Sequence, residues 1–77
     1  MQNNNLFLIK DLARISGQSV HTVKYYLKIG LIKEVGRSPE TRFRYFDDST
    51  VRRLLQIRKM RKQEKSIREI KESLQIK

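Results

Sequence analysis

The chain contains no cysteine, so neither a disulfide framework nor a thiolate metal site can hold it together. It has one histidine, and a single imidazole cannot assemble a metal centre by itself. No stretch approaches the roughly 20 apolar residues of a membrane span. The opening Met1-Gln2-Asn3-Asn4-Asn5 is polar rather than basic-then-apolar, so it is no secretory signal. A cytoplasmic address without membrane association is the expectation. Acid is the other scarcity: 8 Asp plus Glu face 18 Lys plus Arg, and the resulting net charge of +10 favours a polyanionic partner. There is no Gly-rich phosphate loop and no pair of carboxylates in an evident pocket, so nothing supports acid–base or nucleophilic catalysis. No enzyme, cofactor or metal is expected. With 77 residues and 38% hydrophobic content, burial alone must stabilise one domain around one small core.

What is present centres on residues 19–32. Ser19 is a good helix N-cap, because its hydroxyl can accept an orphan amide hydrogen of the first turn, and Gly30 suits the left-handed position just past the end. Between them, Val20, Val23 and Leu27 recur at helical spacing as an apolar stripe, while His21, Thr22, Tyr25 and Lys28 point the other way with Lys24 at the edge. An imidazole, a hydroxyl, a ring and positive charge on one helix face make the chemistry of reading base edges and gripping phosphates.

Before this helix, residues 1–5 read as a frayed tail and residues 6–9 as a short edge strand. Ile9, Leu12 and Ala13 then take helical spacing, giving a first helix over 9–16 that halts at Ser16-Gly17. Two short helices, 9–16 and 19–29, joined by a tight Gly-containing turn form a helix-turn-helix, with the second placed for a major groove. A mixed Glu and Lys face would leave a merely packing helical hairpin as good a reading. Here the face is basic and aromatic.

Residues 31–46 read as a hairpin with a long tip. Its first strand is residues 31–35, residues 36–41 hold Gly, Ser and Pro, and Arg42-Phe43-Arg44-Tyr45-Phe46 alternates charge with rings. Alternation places Phe43 and Tyr45 on one face and Arg42 and Arg44 on the other. A basic hairpin beside a helix-turn-helix is a wing, with Arg37, Arg42 and Arg44 its candidate grips. Asp47 then caps a third helix over 48–62, with Val51, Leu54, Leu55, Ile57 and Met60 as its apolar face and most of its arginines and lysines as solvated exterior. Ser66-Ile67-Arg68-Glu69 is a capping box that opens a fourth helix over 66–76. Lys62, Lys65 and Arg68 around this turn form a second candidate phosphate grip.

The order helix-turn-helix, wing, helix, capped helix resembles the N-terminal DNA-binding domain of the MerR family of bacterial transcription regulators. The resemblance rests on Ile9-Lys10-Asp11-Leu12-Ala13 with Gly17, on Ser19-Val20-His21-Thr22-Val23-Lys24-Tyr25-Tyr26 followed by Lys28-Ile29-Gly30-Leu31-Ile32, on Phe43-Arg44-Tyr45-Phe46, and on Ile67, Ile70 and Leu74 after the Ser66 cap. It implies a mainly α fold of about four helices with a small β-hairpin wing. It also implies that Lys24, Tyr25 and Tyr26 contact phosphates and nearby bases, that Arg44 grips a phosphate, and that the turn from Lys62 through Lys65 is a second wing. Lys24 stands where the family usually has Arg, and so lacks the bidentate fork. Tyr26 has a second reading, packing against the wing, which suits it better than DNA contact.

The expected activity is thus sequence-specific binding of double-stranded DNA in transcription regulation, in the bacterial cytoplasm at the nucleoid. The candidate side chains are Ser19, His21, Thr22, Lys24, Tyr25, Tyr26, Lys28, Arg37, Arg42, Arg44, Lys62 and Lys65. MerR-type regulators continue into a dimerising helix and an effector domain that this sequence does not contain. The chain is therefore expected to be the DNA-binding segment of a longer, dimeric regulator and a monomer alone, or else a small standalone excisionase-like binder. A winged-helix protein-interaction module is the alternative from another class. RNA is the weaker nucleic-acid reading, since the rings do not sit on a broad exposed sheet.

Overall fold

The computed structural model describes residues 5–74. Most of the expected tail, residues 1–4, and the end of the expected fourth helix, residues 75–77, lie outside the described residues. The fold is a winged helix-turn-helix: α1 (Ile9–Ser16), α2 (Val20–Lys28), β1 (Gly36–Arg37), β2 (Arg44–Tyr45), α3 (Asp48–Lys62) and α4 (Ile67–Ser73).

Local hydrogen bonds set the helix ends. The Leu8 amide donates to the Asp11 carboxylate at 2.9 Å at the start of α1. Ser19, Asp47 and Ser66 each accept an amide hydrogen in the first turn of the helix they open. Three helices end with one closure, in which an amide reaches back five residues: Gln18 to the Ala13 carbonyl, Leu31 to Tyr26, and Lys65 to Met60. The residue before each of these amides is left-handed. It is Gly17 (φ 70°) after α1 and Gly30 (φ 85°) after α2, but Glu64 (φ 63°) after α3. The left-handed φ is what calls for glycine at Gly17; a Cβ there would also lie 2.6 Å from Nη1 of Arg58, the far end of a flexible side chain that would have to move aside.

Every helix and the end of the hairpin send a fully buried side chain to one core: Leu12, Val23, Phe46, Leu54, Ile57 and Ile70 are all at 0% exposure. Two expected core positions do not join them. Val20 is 40% and Leu55 45% exposed. In α2 the buried set is Val23 and Tyr26 with Leu27 half-buried, so the inward stripe sits one turn further along than the Val20-Val23-Leu27 spacing predicts.

The hairpin departs from its expected layout. Residues 31–35 do not form its first strand; pairing begins at Gly36, with Gly36 opposite Tyr45 and Arg37 opposite Arg44. Leu31 and Ile32 are consecutive and both buried. A strand points successive side chains to opposite faces, so an open ribbon cannot bury both, and the chain bends there instead. Arg42 is not in a strand either. It sits in the connecting loop at φ 62°, and Phe43 beside it is 61% exposed rather than sharing a covered face with Tyr45. The expected edge strand at 6–9 is a single bridge, in which Phe7 and Phe46 exchange two backbone hydrogen bonds of 2.8 Å. That bridge ties the start of the chain to the base of the wing.

Candidate nucleic-acid interface

Helix α2 is held by its buried side, and its other side is open. Val23 and Tyr26 are buried in the core, while His21, Lys24, Tyr25 and Lys28 are exposed at i, i+3, i+4 and i+7 and so line one stripe. None of the four makes an ion pair or a side-chain hydrogen bond among the described residues. The adjacent tyrosines divide the labour. Tyr25 is 47% exposed and Tyr26 5%, with ring centroids 6.1 Å apart at 51°. Tyr26, expected among the DNA contacts or packed inside, has its ring in the core, beside that of Tyr25. Ser19 and Thr22 are committed locally, since the Ser19 hydroxyl accepts the Thr22 amide at 3.0 Å and donates to the Thr22 hydroxyl at 2.9 Å. Both hold the first turn in place.

The wing carries its charge differently. Register puts Arg37 directly opposite Arg44, an arrangement of like charges that is unfavourable unless something lies between them. Glu34 does. Its Oε2 accepts a hydrogen bond from Nε of Arg37 at 3.0 Å, and its Oε1 lies 3.6 Å from Nε of Arg44. The hydrogen bond from Arg37 is the main reason the Glu34 carboxyl is held below the usual carboxylate range, and the charges of Arg37 and Arg44 add to it. Arg42, at the tip, is exposed and makes no ion pair among the described residues.

The third candidate region is the turn from α3 to α4. Lys62 is exposed at the end of α3 and Lys65 is half-buried. The Lys65 carbonyl accepts from Nη1 of Arg61 at 3.1 Å, and the Glu69 carboxylate accepts from the Ser66 amide at 2.8 Å. That amide bond holds the Glu69 carboxyl below its ordinary value. The Asp47 carboxyl is likewise lowered, first by the hydrogen bond from the Ser49 hydroxyl.

Sequence reasoning missed two residues that shape these regions. Glu34 gave no signal, because its role depends on a strand register. Arg58 reads as solvated exterior, yet its Nη1 donates to the Ser16 carbonyl at 3.0 Å and braces the end of α1 against α3. Gln18 adds a second brace, its side-chain amide reaching the Leu54 carbonyl at 3.4 Å. No group of three or more His, Cys, Asp or Glu able to hold a metal occurs among the described residues. No helix of those residues is long and apolar enough to cross a membrane.

Comparison with known proteins points in one direction. The family described as "MerR HTH family regulatory protein" matches residues 7–77. The HTH-type transcriptional regulator CueR of Bacillus subtilis (strain 168) is 30% identical over 69 residues, which cover 90% of this chain and 47% of that protein. The crystal structure of a MerR-family transcriptional regulator from Bacillus cereus shares the fold with a TM-score of 0.83 at 24% identity, over 91% of this chain and 52% of that one. The chain spans about half the length of each of these relatives.

Proposed function

The chain belongs to the MerR HTH family of regulatory proteins, and from that premise we propose that it is the sequence-specific, double-stranded-DNA-binding unit of a bacterial transcription regulator. In this reading α2 lies in the major groove, with His21 and Tyr25 at base edges and Lys24 and Lys28 on flanking phosphates. Arg37, Arg42 and Arg44 of the wing and Lys62 and Lys65 of the α3–α4 turn hold the backbone on either side. Ser19 and Thr22 keep the first turn of α2 rigid, so that His21 is presented in one orientation. Paired binding to a two-fold operator is proposed for a longer polypeptide of the relatives' size, and the 77-residue chain alone is proposed to bind as a monomer.

The observation that carries this reading is the outward stripe of α2. Its four side chains are exposed and locally unpartnered on a helix whose opposite face is packed. A solvated helix exterior of mixed charge has no need of an exposed tyrosine between lysines. The net charge of +10 supplies the electrostatic part.

The test is a titration of fluorescent random-sequence duplex with the chain at several salt concentrations. If about six phosphates are neutralised, raising salt from about 50 to about 200 mM weakens binding by on the order of a thousandfold. Absence of binding at low salt would shift the reading to a protein-interaction module.

A further inference from the structure

Glu34 is an anomaly on a surface proposed to meet phosphate. It is one of 8 acidic residues in the chain, and it stands between the two arginines that face each other across the hairpin. An ordinary surface pair would join one acid to one base. Here each carboxylate oxygen meets a different guanidinium, Oε2 that of Arg37 and Oε1 that of Arg44. Two oxygens of one anion bridging two guanidinium groups is also how a backbone phosphate would be held between them.

We propose that Glu34 is an internal stand-in for a DNA phosphate, which holds Arg37 and Arg44 in the free protein and must yield them when the wing engages a duplex. This rests on the reading of the wing as a phosphate grip and adds a specificity-setting residue to it. A phosphate that reaches both arginines replaces both lost contacts. One that reaches a single arginine leaves the other still held by Glu34, and repels the carboxylate as well. Glu34 therefore taxes poorly aligned binding more than aligned binding, and lowers affinity for arbitrary DNA. The cation at the tip, Arg42, is outside this arrangement and is free to meet DNA first.

Substitution Glu34→Gln keeps the size and removes the charge, and Glu34 is partly exposed, so the fold should survive; a circular-dichroism melt checks this. With random-sequence duplex at fixed moderate salt, Glu34→Gln should tighten binding about threefold to tenfold, the worth of two exposed ion pairs. It should also steepen the dependence on salt, since two more cations become free to displace counterions. In a chain where Arg37 and Arg44 are both alanine, the same Glu34→Gln change should tighten binding by less than about twofold, the residual effect of a single charge at Debye-screened distance. Unchanged or weakened binding of Glu34→Gln would overturn the proposal. So would an equal gain in the double-alanine background, because the effect would then be net charge alone. Failure of the wing reading looks different: the double-alanine chain would bind as well as the parent.

Discussion

The helix-turn-helix and the wing solve the problem of presenting positive charge in opposite ways. In the first, the backbone is fixed by Gly17, by the Ser19 cap and by burial of Leu12, Val23 and Tyr26, and the outward side chains have no partners of their own among the described residues. In the second, the ladder is two residue pairs long and its arginines are tied to Glu34. A packed scaffold can leave its functional side chains free because it does not depend on them. A two-stranded ribbon is marginal without help, so its charged residues also take part in keeping its shape. In the proposed reading, affinity supplied by the helix is thus independent of stability, whereas in the wing the two are drawn from the same side chains.

The sharpest way to break this comparison is at the tyrosine pair. Tyr26→Ala removes a buried ring and should cost about 3 kcal/mol or more of stability, which calorimetry or a urea melt would read as a large fall in midpoint. Tyr25→Ala should leave the midpoint within about 0.5 kcal/mol and weaken duplex binding about tenfold, the worth of one good contact to a base. If both variants lost stability alike, the outward stripe would be structural rather than free. Next in size is Gly17→Ala, which puts a side chain on a left-handed residue and displaces the Arg58 guanidinium, and should destabilise by about 1 to 2 kcal/mol. Its counterpart in the wing is Arg42, also left-handed. Arg42→Gly should raise stability by about 0.5 kcal/mol, as relief of the backbone outweighs the added freedom of the unfolded chain, yet reduce DNA affinity. A rise in both would remove Arg42 from the interface.

The smallest effect is on acidification. Glu34, Asp47 and Glu69 all have carboxyl pKa values lowered in the folded chain. Their contribution is therefore complete above the ordinary carboxylate values of 3.8 for Asp and 4.5 for Glu and is lost as pH falls through the depressed ones. The cap of α2 is a hydroxyl and does not titrate in this range. Amide exchange followed on stepwise acidification should show the wing and the starts of α3 and α4 loosening before the start of α2. Simultaneous loosening everywhere would argue against separate anchoring.

These differences also mark what the sequence could disclose. Ser19, Asp47 and Ser66 are legible as caps because a cap spans two or three residues, and the partner amide is already in the text nearby. The split between Tyr25 and Tyr26 is legible from helical angle once one side of α2 is known to be packed. Val20 was misplaced because spacing gives a direction around the axis but not how far along it the neighbouring helix reaches. The hairpin was harder. Its start at Gly36 follows from Leu31 and Ile32 both turning inward, a demand of the core rather than of the strand. Glu34 was invisible because it matters only when Arg37 and Arg44 are in register, and register belongs to no single stretch of chain.

The bridge between Phe7 and Phe46 has a consequence in time rather than in space. Each helix closes through contacts a few residues apart and can form in about a microsecond, but this bridge closes a loop of about forty residues and must absorb that loss of chain entropy before it returns anything. Folding should begin among the helices, with the wing docking after the main barrier. Substitutions at Phe7 should then accelerate unfolding and leave the refolding rate almost unchanged, while Leu12 and Leu54 slow refolding. The hairpin would be the last part to arrive and the first to leave.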